Sequence, residues 1–389
     1  MMKLHTGWNY PLNREPISMF SYGSVCSGIE AVSVAWQDFA TPLWFSEIEP
    51  FPCALLQYHY PNIPNLGDMQ NLPQKILNRE IPAPDVLIGG TPCQSYSYAG
   101  KRHSLNDERG SLMLTFINIA NAIDKVRKED GKDPVIIIWE NVPGVLTTKD
   151  NAFGCFLGEL AGANQPLQSP GQKWTDSGYV RGQRDVAWRV FNAQYFGVAQ
   201  RRRRIFVIAG IGEQCSSKIL FESKSLYRYP APGKNERESI TAYIESRFST
   251  FSQSNIAGTL RAKGGTVNNG AETIILDRQG NDSKTPHVIC VHGTQDPITS
   301  HKTAHCLGRN SGQENVIIFQ AGTRLRRLTP TECERLMGFP DNYTQIPYRN
   351  KPALHCPDTP RYKALGNSMA VPVVRWIGQQ LIRQLISHD

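Results

Sequence analysis

Residues 85–94 read DVLIGGTPCQ, a short apolar run that ends in two glycines and leads directly into a loop containing Cys93. Residues 135–142, VIIIWENV, repeat this arrangement with Glu140 in place of the glycines. Both runs have the length and the apolar composition of buried strands. Because the carboxyl ends of parallel strands form the ligand-binding edge of an open sheet, the pattern predicts that Cys93 and Glu140 share one edge.

Two earlier apolar runs end in the same way. The first ends at Val25 and Cys26 before a Ser-Gly turn, and the second, residues 43–45, ends at Glu47. Helical periodicity between the runs indicates parallel strands joined by crossover helices. The periodicity is clearest at Leu112, Phe116, Ile119, Ala120, Ile123 and Val126. The first half of the chain therefore predicts a doubly wound α/β sheet.

The composition excludes several classes of protein. With 389 residues, 40% hydrophobic and 20% charged, the chain can bury a large core, which excludes a disordered protein. No apolar run reaches the roughly 18 residues of a membrane span, and residues 1–17 lack the apolar core of a secretory signal. We therefore expect a protein inside the cell, with no membrane partner.

The chain contains nine cysteines, an odd number, and no C-x-x-C pair. This pattern favours neither a disulfide framework nor a zinc site. We predict that the protein binds no metal.

The charge favours a polyanionic partner. Lys and Arg exceed Asp and Glu by 42 to 34, a net charge of +8, although many proteins with this balance bind no nucleic acid. The distribution is more specific, because residues 181–204 contain seven Arg and one acid, Asp185. Such a segment is typical of one that follows a phosphate backbone.

A change in composition predicts a second domain. The apolar run at residues 205–209 predicts one further strand, and after about Gly212 the composition shifts to segments rich in Ser, Thr, Asn and Gly. We predict one domain from residues 1–212 and 361–389, and a second, smaller, β-rich domain from residues 213–360.

Helical patterns return near the end of the chain. Thr329 and Pro330 are typical of the N-cap and first residue of a helix, and Glu332 occupies the third helical position. A final helix is predicted from about residue 371 to residue 385.

Cys93 stands where a nucleophile would stand, in a loop after a strand at the edge of the sheet. A cysteine reacts as its thiolate, and at the ordinary pKa of about 8.5 only a few per cent is ionised at neutral pH. The arginine-rich segment could supply the positive field that ionisation needs. The alternative is that Cys93 is a small buried apolar residue, the commonest role of a free cysteine.

Glu140 follows a strongly apolar run, so burial is expected to raise its pKa. A protonated carboxyl group can donate a hydrogen bond or a proton to a substrate nitrogen, which is general acid chemistry. The alternative is a solvated glutamate at the end of a strand.

A series of short motifs accompanies these two residues. In chain order they are Cys26-Ser27-Gly28-Ile29, Glu47, Gly67-Asp68-Met69, Thr91-Pro92-Cys93-Gln94, Glu140-Asn141-Val142, Gln200 to Arg204, Arg327 to Pro330 with Glu332 and Gly338-Phe339-Pro340, and Gly366-Asn367-Ser368. In this order, and over nearly the whole chain, they resemble the motifs of the DNA (cytosine-5)-methyltransferases of bacterial or phage type. A single Pro-Cys dipeptide would be weak evidence, but an ordered series is specific.

Three positions depart from the family pattern. Cys26 replaces an aromatic residue, Glu30 and Ala31 replace a Gly pair, and Ile48 stands where an aromatic residue often follows the acid. These departures concern the affinity for the cofactor rather than the type of reaction.

The resemblance implies S-adenosylmethionine as cofactor and S-adenosylhomocysteine as its product, bound on a Rossmann-like methyltransferase sheet. The residues that it assigns to the cofactor are Ser27, Gly28, Ile29, Glu47, Ile48, Asp68, Met69, Gly90, Leu112 and Asn367. Glu47 would accept both ribose hydroxyls and Asp68 the adenine amine, while Gly28 would let the backbone approach the ligand closely.

The resemblance also implies the mechanism. Cys93 adds to C6 of a cytosine and so makes C5 nucleophilic towards the methyl group. Glu140 holds N3 and the exocyclic amine, and Arg204, together with Arg202, binds the ring carbonyl and helps to activate the thiol. The cytosine must first be flipped out of the duplex.

Double-stranded DNA is the implied partner, and residues 213–360 are the implied target-recognition domain. Two of its segments, residues 257–275 and 304–318, share a weak pattern that indicates a duplicated hairpin or chance similarity. The predicted DNA-binding residues are Gln94, Ser95, Arg261, Lys263, Arg309, Asn310 and Gln313. Each could read a base edge or instead contact a phosphate or water. We expect a monomer in the bacterial cytoplasm, associated with the nucleoid.

Three other functions fit parts of the sequence pattern. A nicotinamide dehydrogenase is disfavoured because residues 27–31, SGIEA, lack the G-x-G-x-x-G pattern. An RNA cytosine-5 methyltransferase would share the chemistry, but the long segment before Arg327 favours duplex DNA. A non-catalytic DNA-binding protein would need none of Cys93, Glu140 and Arg204.

Overall fold

The computed structural model describes residues 18–91, 110–210, 215–221, 274–278 and 323–386. The strands in these ranges are β1 Phe20–Val25, β2 Ala40–Ser46, β3 Val86–Gly89, β4 Ile136–Asn141, β5 Ser177–Val180, β6 Asp185–Asn192, β7 Arg203–Gly210, β8 Ile274–Arg278 and β9 Thr323–Arg327. The α-helices are α1 Ala31–Trp36, α2 Pro50–His59, α3 Leu72–Leu77, α4 Gly110–Glu129, α5 Ala152–Ala161, α6 Cys215–Leu220, α7 Pro330–Met337, α8 Asp358–Asn367 and α9 Val371–Ile386. Within the described ranges, no helix is both long and apolar enough to cross a bilayer.

The chain divides into two compact units. The first, which we call the sheet unit, comprises Pro16–Asn192, Arg203–Tyr227 and Met369–Asp389, and the second unit comprises Met1–Glu15, Ala193–Arg202 and Arg228–Ser368. This division differs from the predicted boundaries after residues 212 and 360. Part of the reason is that Gln200 and Arg202 donate hydrogen bonds to backbone carbonyls of Leu336 and Gly366, which ties residues 193–202 to the helices of the second unit.

The sheet unit contains a seven-stranded sheet in the order β2-β1-β3-β4-β7-β6-β5. The strands β2, β1, β3 and β4 run parallel, whereas β7, β6 and β5 are added antiparallel. The parallel half with its crossover helices confirms the predicted α/β fold. The antiparallel half has no counterpart in the predicted strand pattern, except for the run that became β7.

Two strands extend beyond their apolar runs. The strand β4 continues through Glu140 and Asn141, and β7 begins at Arg203, two residues before the predicted start. The cause is pairing, since Glu140 lies opposite Phe206 and Asn141 opposite Ile205 in the antiparallel ladder. A backbone that is hydrogen-bonded to a neighbouring strand stays extended even where its side chains are polar.

The predicted helix between β3 and β4 is confirmed as α4. Its apolar residues Phe116, Ile119 and Ile123 are fully buried, in one core with Trp139 of β4 and Val207 of β7. The helix α4 therefore covers one face of the sheet, and the polar residues lie at the ends of the strands.

In the second unit, the predicted start of α7 is confirmed. The Thr329 hydroxyl accepts from the Glu332 amide, the Glu332 carboxylate accepts from the Thr329 amide, and Pro330 is the first helical residue. The strands β8 and β9 pair antiparallel. In the sheet unit, the predicted final helix is confirmed as α9, which packs on α1 through a hydrogen bond of 2.8 Å from the Trp36 indole to the Val374 carbonyl.

We predict that Gly23→Ala lowers the free energy of unfolding by about 1–3 kcal/mol. A Cβ at Gly23 would lie 2.3 Å from the ring of buried Trp44, and that ring is held by a hydrogen bond of 3.0 Å from its indole N–H to the Pro82 carbonyl. Denaturant unfolding measures the change. Gly171→Ala is the control, because a Cβ there has no neighbour within 4 Å; equal losses in the two variants would contradict the prediction.

Candidate functional site

A left-handed turn follows β1 at the predicted cofactor edge. Cys26, Gly28 and Glu30 all have positive φ, at 49°, 57° and 55°. The left-handed region is ordinary for glycine but strained for Cys and Glu. Side-chain hydrogen bonds from neighbouring residues must therefore stabilise the backbone of this turn.

Glu47 supplies one of these interactions. Its Oε2 accepts a hydrogen bond of 2.7 Å from the Gly28 amide, and its Oε1 accepts bonds of 2.8 Å from the amides of Ile48 and Glu49. The carboxylate thus links the ends of β1 and β2. A carboxylate has about four acceptor positions, so capacity remains for a ligand hydroxyl.

Ser27 and Ile29, which belong to the same turn, also stabilise it. The Ser27 hydroxyl donates to the Ser24 carbonyl at 3.0 Å and accepts from the Ser46 amide at 3.1 Å. The Ile29 side chain is fully buried in the core. These two residues shape the turn, and any contact of Ile29 with a ligand would be through its backbone.

Four further residues that were predicted to bind the cofactor differ in their exposure. Asp68 is exposed, and its carboxylate accepts a hydrogen bond of 2.9 Å from the Gln70 amide. Ile48 is 70% exposed, while Met69 is buried. Leu112 lies partly buried against the core on α4.

Cys26 replaces the expected aromatic residue with a neutral thiol. Its Sγ lies 3.8 Å from the Sδ of Met69. Burial, together with the nearby carboxylates of Glu47 and Asp68, raises the pKa of Cys26 to about 12. At neutral pH the thiol is therefore a polarizable apolar surface rather than a nucleophile.

Glu30, which replaces a family glycine, is fully buried at the start of α1. Its Oε2 accepts hydrogen bonds from the Ser33 amide at 3.0 Å and the Ser33 hydroxyl at 2.7 Å. The Ser33 hydroxyl is also 2.7 Å from the Tyr22 hydroxyl, and the Glu30 amide donates to the Ser27 carbonyl at 3.0 Å. Burial raises the pKa of Glu30 to about 7, against the lowering effect of hydrogen bonds from Ser24 and Ser33.

Sequence reasoning noted Glu30 only as a departure and missed this network. The only signal was an acid directly before the apolar residues of α1, with Ser33 at the third helical position.

The end of β3 is made of glycines because neighbours approach it closely. A Cβ at Gly89 would lie 2.5 Å from the Val25 carbonyl oxygen, and one at Gly90 would lie 3.0 Å from Oε2 of Glu140. Gly90 therefore borders directly on the Glu140 carboxyl group.

Thr91 is anchored on both sides of Glu140. The Trp139 indole donates to the Thr91 hydroxyl at 3.0 Å, and the Asn141 side-chain amide donates to the Thr91 carbonyl at 2.9 Å. Thr91 is the last described residue before Cys93, which follows it by two residues. The backbone that leads to Cys93 is therefore fixed to β4 at Thr91.

Glu140 and Arg204 form an ion pair. The Nε of Arg204 lies 3.1 Å from Oε1 of Glu140, and the side chains are only 15% and 11% exposed. A charge-assisted hydrogen bond is stronger in such a partly desolvated place than at the surface. The structure thus brings together two of the predicted catalytic residues.

Arg202 makes different contacts, in the second unit. Its guanidinium donates to the carbonyls of Gly366 and Ser368 at 3.0 and 2.5 Å, and the residue is 2% exposed. These bonds hold the turn that carries Asn367, which is itself exposed. A positioning role follows from these contacts, and a direct catalytic role for Arg202 stays a prediction.

Several predicted site residues lie outside the described ranges. They are Cys93, Gln94, Ser95, Arg261, Lys263, Arg309, Asn310 and Gln313. The two segments with the shared pattern also lie outside them, except for the end of the first in β8. In the described part of the chain, no group of three His, Cys, Asp or Glu side chains is placed to hold a metal ion.

A family model and several known proteins are similar to this chain. The family model of the C-5 cytosine-specific DNA methylases matches residues 20–383. A DNA N-6-adenine-methyltransferase of Escherichia phage P1 is 37% identical over 93% of this chain, which spans 61% of that relative's length. The type II methyltransferase M.MspI of Moraxella sp is 26% identical over 94% of this chain and 71% of its own length.

Solved structures show the same fold. A methyltransferase of Entamoeba histolytica matches with a TM-score of 0.56 at 16% identity, over 96% of this chain and 99% of that one. The Dnmt2 methyltransferase of S. pombe matches with a TM-score of 0.55 at 16% identity, over 94% of this chain and 98% of that one.

We predict that Glu30 makes stability depend on pH. Its pKa is raised to about 7 in the folded protein from about 4.3 in an unfolded chain, so its contribution is fully present below about pH 4 and is lost as the pH rises through about 7. Between pH 5 and 8 the wild type should lose roughly 2–3 kcal/mol relative to Glu30→Gln.

Denaturant unfolding across this pH range measures the difference between the two proteins. Glu159→Gln removes an exposed carboxylate and should follow the wild-type curve. Wild-type and Glu30→Gln curves that run parallel would contradict the prediction.

Proposed function

Because the chain belongs to the C-5 cytosine-specific DNA methylase family, we propose that it transfers a methyl group to C5 of a cytosine within a specific sequence of duplex DNA. The observation that carries this proposal is the partly buried pair of Glu140 and Arg204, 3.1 Å apart. The pair stands beside Gly90 and the anchored Thr91. An acid and a guanidinium at one sheet edge fit the polar edge of a cytosine.

The residues at the carboxyl ends of β1, β2 and β3 fit S-adenosylmethionine as the cofactor. The Glu47 carboxylate retains acceptor capacity for ribose hydroxyls, Gly28 exposes backbone in a left-handed turn, and Asp68 is exposed beside them. Met69 and the neutral Cys26 thiol provide an apolar surface. When bound, this cofactor supplies an electrophilic methyl group.

Cys93 is the proposed nucleophile. It follows the anchored Thr91 by only two residues, so its Cα can lie at most about 7 Å from that of Thr91. The thiolate adds to C6 of the cytosine, forming an S–C6 bond, and the electron pair of the C5–C6 double bond makes C5 nucleophilic. After C5 has gained the methyl group, a base removes the C5 proton and the thiolate leaves C6.

Glu140 and Arg204 act on the other edge of the ring. The carboxyl group of Glu140 holds N3 and the exocyclic amine, and a proton at N3 balances the charge that develops as the thiolate adds. Arg204 donates to the ring carbonyl and orients Glu140. Donors that are already in place when charge develops stabilise the transition state most.

These contacts require the cytosine to leave the base stack, at a cost of a few kcal/mol. The second unit is proposed to bind the rest of the duplex. Its proposed base-reading residues are Arg261, Lys263, Arg309, Asn310 and Gln313. Gln94 and Ser95 are proposed to contact DNA beside the nucleophile. One chain is sufficient for this chemistry.

The P1 relative favours a second candidate, methylation of adenine at N6, because its name states that activity. This chain spans only 61% of that relative, so the named activity could belong to the remainder. Attack at an exocyclic amine needs no thiolate, whereas C5 chemistry needs one, and Cys93 follows by three residues the Gly90 that packs against Glu140. The product of the reaction separates the two.

We predict that the protein incorporates label from S-adenosylmethionine into duplex DNA as 5-methylcytosine within one short motif. Cys93→Ser should abolish this incorporation, because a hydroxyl is far less ionised than a thiol at neutral pH. Nucleoside analysis identifies the methylated base, and bisulfite sequencing locates it.

Cys155→Ser, at a buried cysteine on α5, is the control and should retain activity. Recovery of N6-methyladenine would select the second candidate. Incorporation into RNA but not into DNA, with S-adenosylhomocysteine binding intact, would reject the DNA proposal.

We predict that Asn141→Asp lowers single-turnover methyl transfer by about a hundredfold. The substitution keeps the shape of the side chain but replaces the amide that donates to the Thr91 carbonyl, which releases the backbone that leads to Cys93. Calorimetry should show S-adenosylhomocysteine affinity within a few-fold of wild type. A normal rate in Asn141→Asp would show that this anchor is dispensable.

A further inference from the structure

A two-residue turn lies between α7 and α8 in the second unit, with both of its tip residues exposed. The amides and carbonyls of Tyr348 and Lys351 exchange hydrogen bonds of 3.0 and 3.1 Å across it. Arg349 and Asn350 form its tip with φ of 53° and 62°, which is the geometry of a type I′ turn. We call residues 348–355 the basic turn.

The backbone conformation at the tip is unfavourable for the residues that occupy it. Type I′ turns favour Asn followed by Gly, because both tip residues need positive φ. Arg349 occupies the first of these positions, and its guanidinium carbon lies 5.2 Å from the centroid of the Tyr348 ring. A long cationic side chain is thus held at a place where local geometry alone would select a small residue.

The charge of this segment has one sign. No acid occurs from residue 342 to residue 357, whereas Arg349, Lys351 and His355 are all present and exposed. The acids on either side are already paired, Asp341 with Arg335 at 2.5 Å and Asp358 with Arg361 at 3.3 Å. Within the part of the chain that the structure describes, neither Arg349 nor Lys351 makes an ion pair.

The base of the segment is rigid. Glu334 is fully buried on α7 and pairs with Arg361 of α8 at 3.3 Å. Its carboxylate also accepts from the amide and hydroxyl of Thr344 and, at 2.6 Å, from the amide of Asn342. The cations of the basic turn are therefore presented on a fixed support, which lowers the entropy cost of binding.

Apolar surface accompanies the charge. Leu354, between the two basic positions Lys351 and His355, is 78% exposed. Fixed cations with an exposed apolar side chain suit a phosphate backbone, which offers charges flanked by apolar sugars.

We propose that the basic turn is a DNA-contact site in which Arg349 and Lys351 bind phosphates of the duplex. This inference rests on the proposed function, since it names a surface that would hold the same DNA substrate. A phosphate contact fixes the position of the protein on DNA but reads no sequence, so the basic turn contributes affinity for any duplex.

The test is binding of a fluorescently labelled duplex of mixed sequence by Arg349→Ala/Lys351→Ala at several salt concentrations. Each lost phosphate contact lowers the slope of log K against log salt by about 0.9, so the double variant should lose about 2 from the slope. Between about 50 and 200 mM salt, wild-type affinity should then fall about tenfold more than that of the variant. Lys125→Ala/Lys128→Ala removes the same charge from exposed positions on α4 and should keep the wild-type slope.

Two further measurements distinguish the loss of a phosphate contact from structural damage to the protein. Arg349→Lys/Lys351→Arg keeps both charges and should keep most of the slope; a loss as large as that of the alanine variant would assign a structural role and overturn the proposal. Calorimetric binding of S-adenosylhomocysteine should be unchanged in all variants, which reports an intact sheet unit.

An unchanged slope in the alanine variant, with wild type binding DNA, would overturn the basic turn as a DNA site and leave the proposed function standing. Wild type that binds S-adenosylhomocysteine but no duplex DNA would overturn both. Tighter binding of a duplex RNA of the same sequence, lost in the alanine variant, would assign the surface to RNA instead.

Discussion

The antiparallel pairing of β4 with β7 is the constraint on which the site depends. Glu140 lies opposite Phe206, and Arg204, two residues before Phe206 on β7, projects to the same face because side chains alternate along a strand. The two are diagonal neighbours, within reach of a long side chain such as arginine. A parallel strand at this position would not bring the start of an arginine-rich strand to the end of β4.

At the cofactor edge, carboxylates stabilise the backbone through hydrogen bonds rather than through an ion pair. Glu47 and Glu30 both act on the left-handed turn after β1, Glu47 through the Gly28 amide and Glu30 through Ser33 and its own backbone. A turn with three positive φ values in five residues is costly, and these hydrogen bonds hold it in place. A pair of glycines would adopt the turn without such support, which is why Glu30 requires Tyr22 and Ser33 beside it.

The sequence was sufficient to predict the four parallel strands, the helix α4 and the capped start of α7, because each depends on local periodicity or on a short capping pattern. Burial and pairing are tertiary properties, so the extension of β4 through Asn141, the network of Glu30 and the separate environment of Arg202 could not be read in advance. Arg202 and Arg204 are equivalent in the motif, yet Arg204 meets Glu140 while Arg202 binds carbonyls around Asn367. They differ in place, since Arg204 lies in β7, whereas Arg202 precedes that strand and belongs to the second unit.

The packing of α9 on α1 has a consequence for synthesis. The Trp36 indole and the Val374 carbonyl are joined across 338 residues, and the residues of the second unit from 228 to 368 lie between them in the chain. A ribosome therefore completes most of the seven-stranded sheet long before the helix that covers α1 exists. Contacts between distant parts of a chain form slowly and leave apolar surface uncovered in the meantime. The nascent sheet must stay free of aggregation, with Trp36 exposed, until α9 has emerged.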